Sequence, residues 1–260
     1  MDASISNFSM DMFSLKGKVA VVTGGNTHLG MAYASAFAKA GADLFIPHLT
    51  DDVRDIRDFA EKEGRRIAFI QGDLTDPAFR KALVDKCLEV YGKIDILVNN
   101  AGVSKRTLTQ YPPEEVYQRV IDLNITAGYD LCCKIGQVMK KQGGGKIINI
   151  GSTLSFTGSG GDHAYPISKH AVIGMTRSIA AEFLHDNVKC NAICPGFFRS
   201  PLNEGMPQES FDRVARRLPH KEWGAYGDLM GSAVFLASSA SDYVNGVFLI
   251  VDGGFAANYF

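Results

Sequence analysis

Lys18-Val-Ala-Val-Val-Thr-Gly-Gly-Asn-Thr-His-Leu-Gly30 changes character twice within one short stretch. An unbroken apolar run, Val19 to Val22, gives way at Thr23 to a turn bearing Gly24 and Gly25. From there Leu29, Ala32, Ala36, Phe37 and Ala40 recur on one stripe, which predicts a helix over His28–Ala40. A continuous apolar strand, as opposed to an alternating one, belongs in a parallel sheet covered on both faces. A glycine turn that opens a helix leaves the first N–H groups unpaired at the positive end of the helix dipole. Such a place suits an anion, and a pyrophosphate in particular.

The same alternation continues outward. Further strands are expected at 43–47, 66–71, 94–99, 146–151, 188–194 and 248–251, with amphipathic helices between them. One long helix is expected over 114–142, entered after Pro112-Pro113 and closed by Gly143-Gly144-Gly145. Repeated β–α units with right-handed crossovers specify an α/β fold: a single-domain Rossmann-type doubly wound parallel sheet of about seven strands, with helices on both faces. Nothing reads as a linker or a repeat, so residues 13–260 are expected to form one domain behind a flexible tail at 1–12. The stretch 196–224 is irregular and rich in Gly, Pro and polar residues. It follows a strand whose carboxyl end borders the ligand crevice of an open sheet, so it is expected to cover the substrate.

Composition excludes several roles. A net charge of -1 gives no electrostatic case for nucleic acid or an anionic membrane. No run approaches the roughly 18 apolar residues of a membrane span. The five cysteines lack paired metal spacing, so they are read as thiols of a reducing compartment and no metal is expected. The first dozen residues carry no basic cluster of the kind a signal peptide needs. A cytoplasmic protein is expected.

One constellation carries chemistry. Tyr165 and Lys169 are four apart and so share one face of a helix, about one turn from each other. Ser152 lies just after the apolar run Lys146-Ile-Ile-Asn-Ile150. A hydroxyl at a strand end facing a phenol beside an ammonium is a device for moving a proton to or from a substrate oxygen. A free phenol titrates near about 10, and a neighbouring cation is expected to lower it.

With Thr23-Gly24, Gly30, Asn99-Asn100-Ala101-Gly102, Asn124, Ser152, Tyr165, Lys169 and Pro195-Gly196 in order, the chain resembles the short-chain dehydrogenase/reductase family. The likeness runs from Phe13 to Phe255. It implies an NAD(P)-dependent oxidoreductase with Asn124, Ser152, Tyr165 and Lys169 as the catalytic set. Asn124 would hold a water linking Lys169 to solvent, and Lys169 would also bind the nicotinamide ribose. Gly24, Asn26, Thr27, His28, Leu29 and Gly30 would surround the pyrophosphate, and Asp73 and Leu74 the adenine. Asn99, Ala101 and Gly102 would pack near the adenine ribose. Pro195, Gly196, Phe198 and Ser200 would border the nicotinamide, beside Tyr165 and Lys169.

Two departures from the family pattern bear on the cofactor. His28 stands where the family has a glycine, and its imidazole either pushes the phosphates outward or adds a donor to them. His48 stands near the end of the second strand, where an acidic residue suits NAD and a basic one NADP. No arginine or lysine lies in 25–27 or 48–53, and Asp51 and Asp52 are close by, so the expectation leans to NAD over NADP.

Within the family, Phe13-Ser-Leu-Lys-Gly-Lys-Val19, Gly25-Asn-Thr27, Trp223-Gly224 and the stretch from Asp228 to Gly246 resemble the sugar-acid branch. Its members are the gluconate and 2-dehydro-3-deoxy-gluconate 5-dehydrogenases. The implied reaction interconverts a secondary alcohol and a ketone on a sugar acid. Lys105 and Arg106, at the site mouth, would take the carboxylate, with Ser152, His163 and Tyr165 completing the substrate site. A reductase of 3-oxoacyl thioesters or hydrophobic steroid ketones keeps the same catalytic set with another pocket. A non-catalytic NAD(P)-sensing protein is the alternative from a different class. The resemblance also implies a homotetramer, with the apolar C-terminus Phe255-Ala-Ala-Asn-Tyr-Phe260 available to a subunit interface.

Overall fold

The computed structural model describes residues 5, 8–104, 111–159, 162–199, 208–219 and 221–257. Seven strands form one sheet: β1 (Val19–Val22), β2 (Asp43–His48), β3 (Ile67–Gln71), β4 (Ile96–Asn99), β5 (Gly145–Ile150), β6 (Val188–Pro195) and β7 (Phe248–Val251). Their spatial order is β3-β2-β1-β4-β5-β6-β7, and every neighbouring pair is parallel. Each expected strand is present, with ends displaced by no more than a couple of residues.

Alternation of side chains sorts the core into two layers. Ala20, Val22, Leu44 and Ile46 face a layer built from α1 (His28–Ala40), α2 (Arg54–Lys62) and α8 (Gly227–Ala237). Val19, Val21 and Phe45 face the other, built from α3 (Pro77–Tyr91), α5 (Gly128–Lys141) and α6 (Ala164–Glu182). Fully buried side chains such as Phe37, Phe45 and Leu131 each contribute about 1.5–3 kcal/mol. Helix starts follow local chemistry: Asp76 accepts from Ala78 N and Pro77 occupies the first turn of α3.

The expected single helix over 114–142 is interrupted. It runs as α4 (Glu114–Ile121), a π-helical turn (Asp122–Ala127) and then α5. The apolar periodicity carries through the turn, which hides the insertion from a pattern reading. π turns of this kind recur at functional sites, and this one carries Asn124.

The order in which strands are added reverses between β1 and β4, the parallel neighbours at the middle of the sheet. At such a switch point the loops after adjacent strands splay apart and leave a crevice at their carboxyl ends.

Candidate active site

Thr23 ends β1 and ties the crevice together. Its hydroxyl accepts from Asn100 N and Ala101 N, both at 2.9 Å, and donates to Val98 O at 3.2 Å. Asn100 Nδ2 in turn donates to Thr23 O at 2.9 Å. The turn that follows is built for close backbone approach. Gly24 has φ +64°, and its N–H donates to Pro47 O at 3.0 Å. A Cβ on Gly30 would lie 2.2 Å from Gly24 O and 2.6 Å from Asn100 Nδ2. The helix start is open: among the described residues no side chain caps α1 at Thr27. His28, at the first position of α1, has φ +46° and is half-buried. Glycine adopts that φ freely and histidine is among the side chains that tolerate it, so His28 keeps the backbone shape of the glycine it replaces.

Beside this turn lies a cleft lined by Gly24, His48, Leu49, Asp73, Leu74 and Arg119. His48 is buried, with Nδ1 2.7 Å from Thr50 O and its ring edge-on to Phe69. Asn26 Nδ2 donates to Thr50 Oγ1 and Asp52 O. Asp73 accepts from Thr75 N, Thr75 Oγ1 and Arg119 Nη1 at 2.8–2.9 Å. Burial disfavours its charge, but the Thr75 backbone N–H and the Arg119 guanidinium outweigh that, so the carboxyl lies below its usual range. Arg119 has no counterpart in the sequence reading, because only the fold brings α4 to Asp73 in the turn after β3. The open helix start, the glycine cradle and this cleft fit a dinucleotide.

Across the crevice the reactive groups converge. Ser152 follows β5 and caps a short turn, its hydroxyl accepting from Leu154 N at 3.1 Å. Ser155 Oγ accepts from Ser152 N and donates to Lys169 O at 2.7 Å, fastening that turn to α6. Tyr165 and Lys169 lie in the first turns of α6, with Lys169 Nζ 5.4 Å from the Tyr165 ring centroid. Lys169 is buried and donates to Ile150 O at 2.7 Å. The Ser152 hydroxyl faces the Tyr165 phenol closely enough to favour its charged form.

The charge balance differs from the sequence expectation. Burial is the largest effect on Tyr165 and pushes its phenol up to about 12, with Ser152 opposing and Asp162 adding to the rise. Burial also pushes the Lys169 ammonium down to about 8. Desolvation penalises either charged form, so the neighbouring lysine does not lower the phenol here.

Asn124 makes a two-way clamp. Its Oδ1 accepts from Val103 N at 2.8 Å, and its Nδ2 donates to Val103 O at 2.9 Å and Ser168 Oγ at 3.0 Å. The side chain therefore holds the loop after β4 against α6. Asn99 donates to Gly128 O and Asn149 Oδ1, linking β4, β5 and α5, while Ala101 is half-buried and Gly102 exposed over Asn124 Oδ1. Leu29, half-buried, packs on the core beside the turn.

Pro195 ends β6, and Gly196 N donates to Val251 O at 3.0 Å. Phe198 is buried and bridges to Gly224, so both ends of the irregular stretch are pinned together. Phe197 belongs to an aromatic cluster: Trp223 stacks on Phe211 at 4.5 Å and meets Phe197 at 5.4 Å, and Phe197 meets Phe255 at 4.9 Å. His163 is exposed, edge-on to Tyr111. Lys105, Arg106 and Ser200 lie outside the described residues. Among the described residues no cluster of side chains is suited to a metal and no helix is long and apolar enough to cross a membrane.

A doubly wound parallel sheet with a glycine turn at its switch point, facing a serine, tyrosine and lysine, defines a nicotinamide-linked oxidoreductase. Comparison with known proteins narrows the class. Residues 25–256 match a family model described as enoyl-(acyl carrier protein) reductase. The chain is 42% identical over 254 residues to an uncharacterized oxidoreductase of Escherichia coli, covering 97% of each chain. It is also 42% identical over 248 residues to the 2-dehydro-3-deoxy-D-gluconate 5-dehydrogenase of Bacillus subtilis, covering 94% of this chain and 96% of that one. A solved structure of a putative NAD(P)-dependent gluconate 5-dehydrogenase from Beutenbergia cavernae, with bound NADP, superposes with a TM-score of 0.90 at 35% identity, covering 95% of this chain and 99% of that one. The chain belongs to the short-chain dehydrogenase/reductase family, whose dehydrogenases act on alcohol and ketone groups.

Proposed function

We propose that this enzyme interconverts a secondary alcohol and a ketone on a sugar acid, at the 5-position of gluconate or 2-dehydro-3-deoxy-gluconate. The observation that carries the reaction type is the convergence of Ser152 with Tyr165 and Lys169 beside the open start of α1. Two points support the substrate: the 42% likeness to a 2-dehydro-3-deoxy-D-gluconate 5-dehydrogenase, and the polar rim of Ser104, Asp162 and His163, which suits a polyhydroxylated ligand.

The nicotinamide coenzyme supplies or accepts the hydride when bound. Ser152 donates a hydrogen bond to the substrate oxygen and holds it against Tyr165. In reduction the Tyr165 hydroxyl donates its proton to that oxygen; in oxidation the phenolate takes it back. Lys169, buried and anchored on Ile150 O, orients the coenzyme ribose and exchanges its proton with the phenol. Asn124 keeps the loop after β4 in register with α6. Gly24, Asn26, Thr27, His28, Leu29 and Gly30 hold the pyrophosphate, and Asp73 and Leu74 the adenine. Asn99, Ala101 and Gly102 lie along the adenine ribose. Pro195, Gly196, Phe198 and Ser200 border the nicotinamide, and the stretch 196–224 covers the substrate. Lys105 and Arg106 take the carboxylate.

The coenzyme is NAD. Asp51 and Asp52 follow β2, Gln71 Nε2 already donates to Asp51 at 2.6 Å, and His48 is engaged with Thr50 O, so a 2′-phosphate finds negative charge where it needs positive. The protein acts as a cytoplasmic homotetramer. Exposed Ile250 on β7, an edge strand, with exposed Val247 just before it and the fully exposed Tyr243 nearby in sequence, supports self-association, and sedimentation as a monomer would refute it.

The test is a screen of sugar acids, polyols, acyl thioesters and steroid ketones with NAD and NADP, read by reduced-nicotinamide absorbance. Turnover of gluconate-type substrates with the lower KM for NAD is expected. Turnover confined to acyl thioesters or steroids would overturn the substrate, and a lower KM for NADP the coenzyme.

A further inference from the structure

Asp162 is 7% exposed, and it lies between two parts of the site that come from different elements. Its Oδ2 accepts from the Ser104 hydroxyl at 2.6 Å, and its Oδ1 from Tyr165 N at 3.4 Å. Ser104 follows directly on Val103, the residue that Asn124 grips from both sides. Tyr165 stands in the first turn of α6. A buried carboxylate is unfavourable unless donors meet it, and both donors here belong to the reaction site and not to the core.

The charged and titratable groups around the phenol are few. Lys169 lies on the same helix, 5.4 Å from the ring, and the Cys194 thiol of β6 interacts electrostatically with Lys169. Ser152 approaches from the end of β5, and Asp162 from the segment leading into α6. His163 is exposed and turned to Tyr111. Asp162 is the carboxylate among them, and its charge adds to the effect of burial on the phenol.

We propose that Asp162 is a positioning residue: it fastens the loop after β4 to the first turn of α6 and sets the electrostatic field at the Tyr165 hydroxyl. An anion there disfavours the phenolate and works in the same sense as burial. The hydroxyl is thereby kept as a proton donor for ketone reduction, and alcohol oxidation is shifted to higher pH. The inference rests on Tyr165 as the acid–base group and is independent of which alcohol is the substrate.

The test needs no substrate. Tyrosinate formation in the coenzyme-free protein is followed by ultraviolet difference absorbance, with Tyr165→Phe subtracted to isolate the one phenol. Asp162→Asn keeps one acceptor for Tyr165 N, turns the other position into a donor that the Ser104 hydroxyl can accept, and removes the charge; it is expected to bring the onset and midpoint of that titration down by about half a unit or more. The rising limb of kcat/KM for oxidation should move the same way. Ser104→Ala releases the loop but leaves the charge, so the titration is expected to stay in place while substrate KM rises. If Asp162→Asn does not fold, Asp162→Thr gives the same comparison. A titration unmoved or moved upward by loss of the charge, or moved equally by Ser104→Ala, overturns the proposal. A downward shift in a protein that turns over no sugar acid leaves the proposal standing and removes the substrate reading instead.

Discussion

Tyr165 and Lys169 move in opposite directions for one reason. Each would have to ionise in a place from which water is largely excluded, so the phenol rises to about 12 and the ammonium falls to about 8. The residue types and their spacing were legible in the sequence, since a tyrosine and a lysine four apart on a helix share a face wherever that helix lies. The depth at which they sit was not, and depth decides the sign of the phenol's shift. The glycine turn shows the same division. Its anion-binding character could be read from Gly24 and Gly30, but His28 occupying the φ of a glycine needed the backbone. Gly30 permits a prediction at this scale. A Cβ there meets a backbone oxygen at 2.2 Å, which cannot swing aside. Gly30→Ala is therefore expected to cost about 1–3 kcal/mol in urea unfolding and to raise the coenzyme KM roughly tenfold, which is about 1.4 kcal/mol of binding. An unchanged KM at wild-type stability would contradict the close packing of the turn.

At the scale of elements, the strands announced themselves as apolar runs, unbroken where a strand such as β1 is buried on both faces. The π turn at Asp122–Ala127 did not. One inserted residue leaves an apolar stripe almost unbroken, yet it decides where Asn124 points. Arg119 and Arg80 were also invisible, since each finds its partner on another element. Arg80 is buried, with Nε 2.6 Å from Asp130 on α5 and Nη1 2.7 Å from Leu74 O. Burial disfavours the Asp130 charge, but hydrogen bonds from Lys134 and Arg80 outweigh it and leave the carboxyl below its usual range. Arg80→Leu leaves that carboxylate to Lys134 alone and Leu74 O without its donor, so a loss of about 1.5–3 kcal/mol is expected in urea unfolding at neutral pH. A carboxyl depressed on folding stabilises above its unfolded pKa, near about 3.9, and the contribution is lost as pH falls through the folded value. The gap between wild type and Arg80→Leu should accordingly narrow in acid. A gap that stays constant from neutral to acid pH would show that the ion pair is not its source.

For the whole molecule, one sheet carries both halves of the chemistry. Its central strands, β1 and β4, end at the coenzyme turn and the loop that Asn124 holds; β5 and β6 end at Ser152 and Pro195. The irregular stretch after β6 is pinned at its base by Phe198 and Gly224 and anchored through Trp223 and Phe197 to Phe255. An irregular stretch was legible there from its Gly and Pro content. Its anchoring was not, because aromatic residues far apart in sequence carry no periodic signal. The substrate lay furthest from view, since the recognition proposed for Lys105 and Arg106 rests on residue type alone. All of this converges on a single proton. The direct measurement is steady-state turnover of Tyr165→Phe beside the wild type, with coenzyme affinity measured separately by fluorescence titration. A loss of about 1,000-fold or more in kcat, within the usual range for a general acid–base group, with coenzyme affinity within a few-fold of wild type, is the result expected. A Tyr165→Phe enzyme that keeps kcat within tenfold of wild type would contradict the account, because the proton would then be moving through some other group.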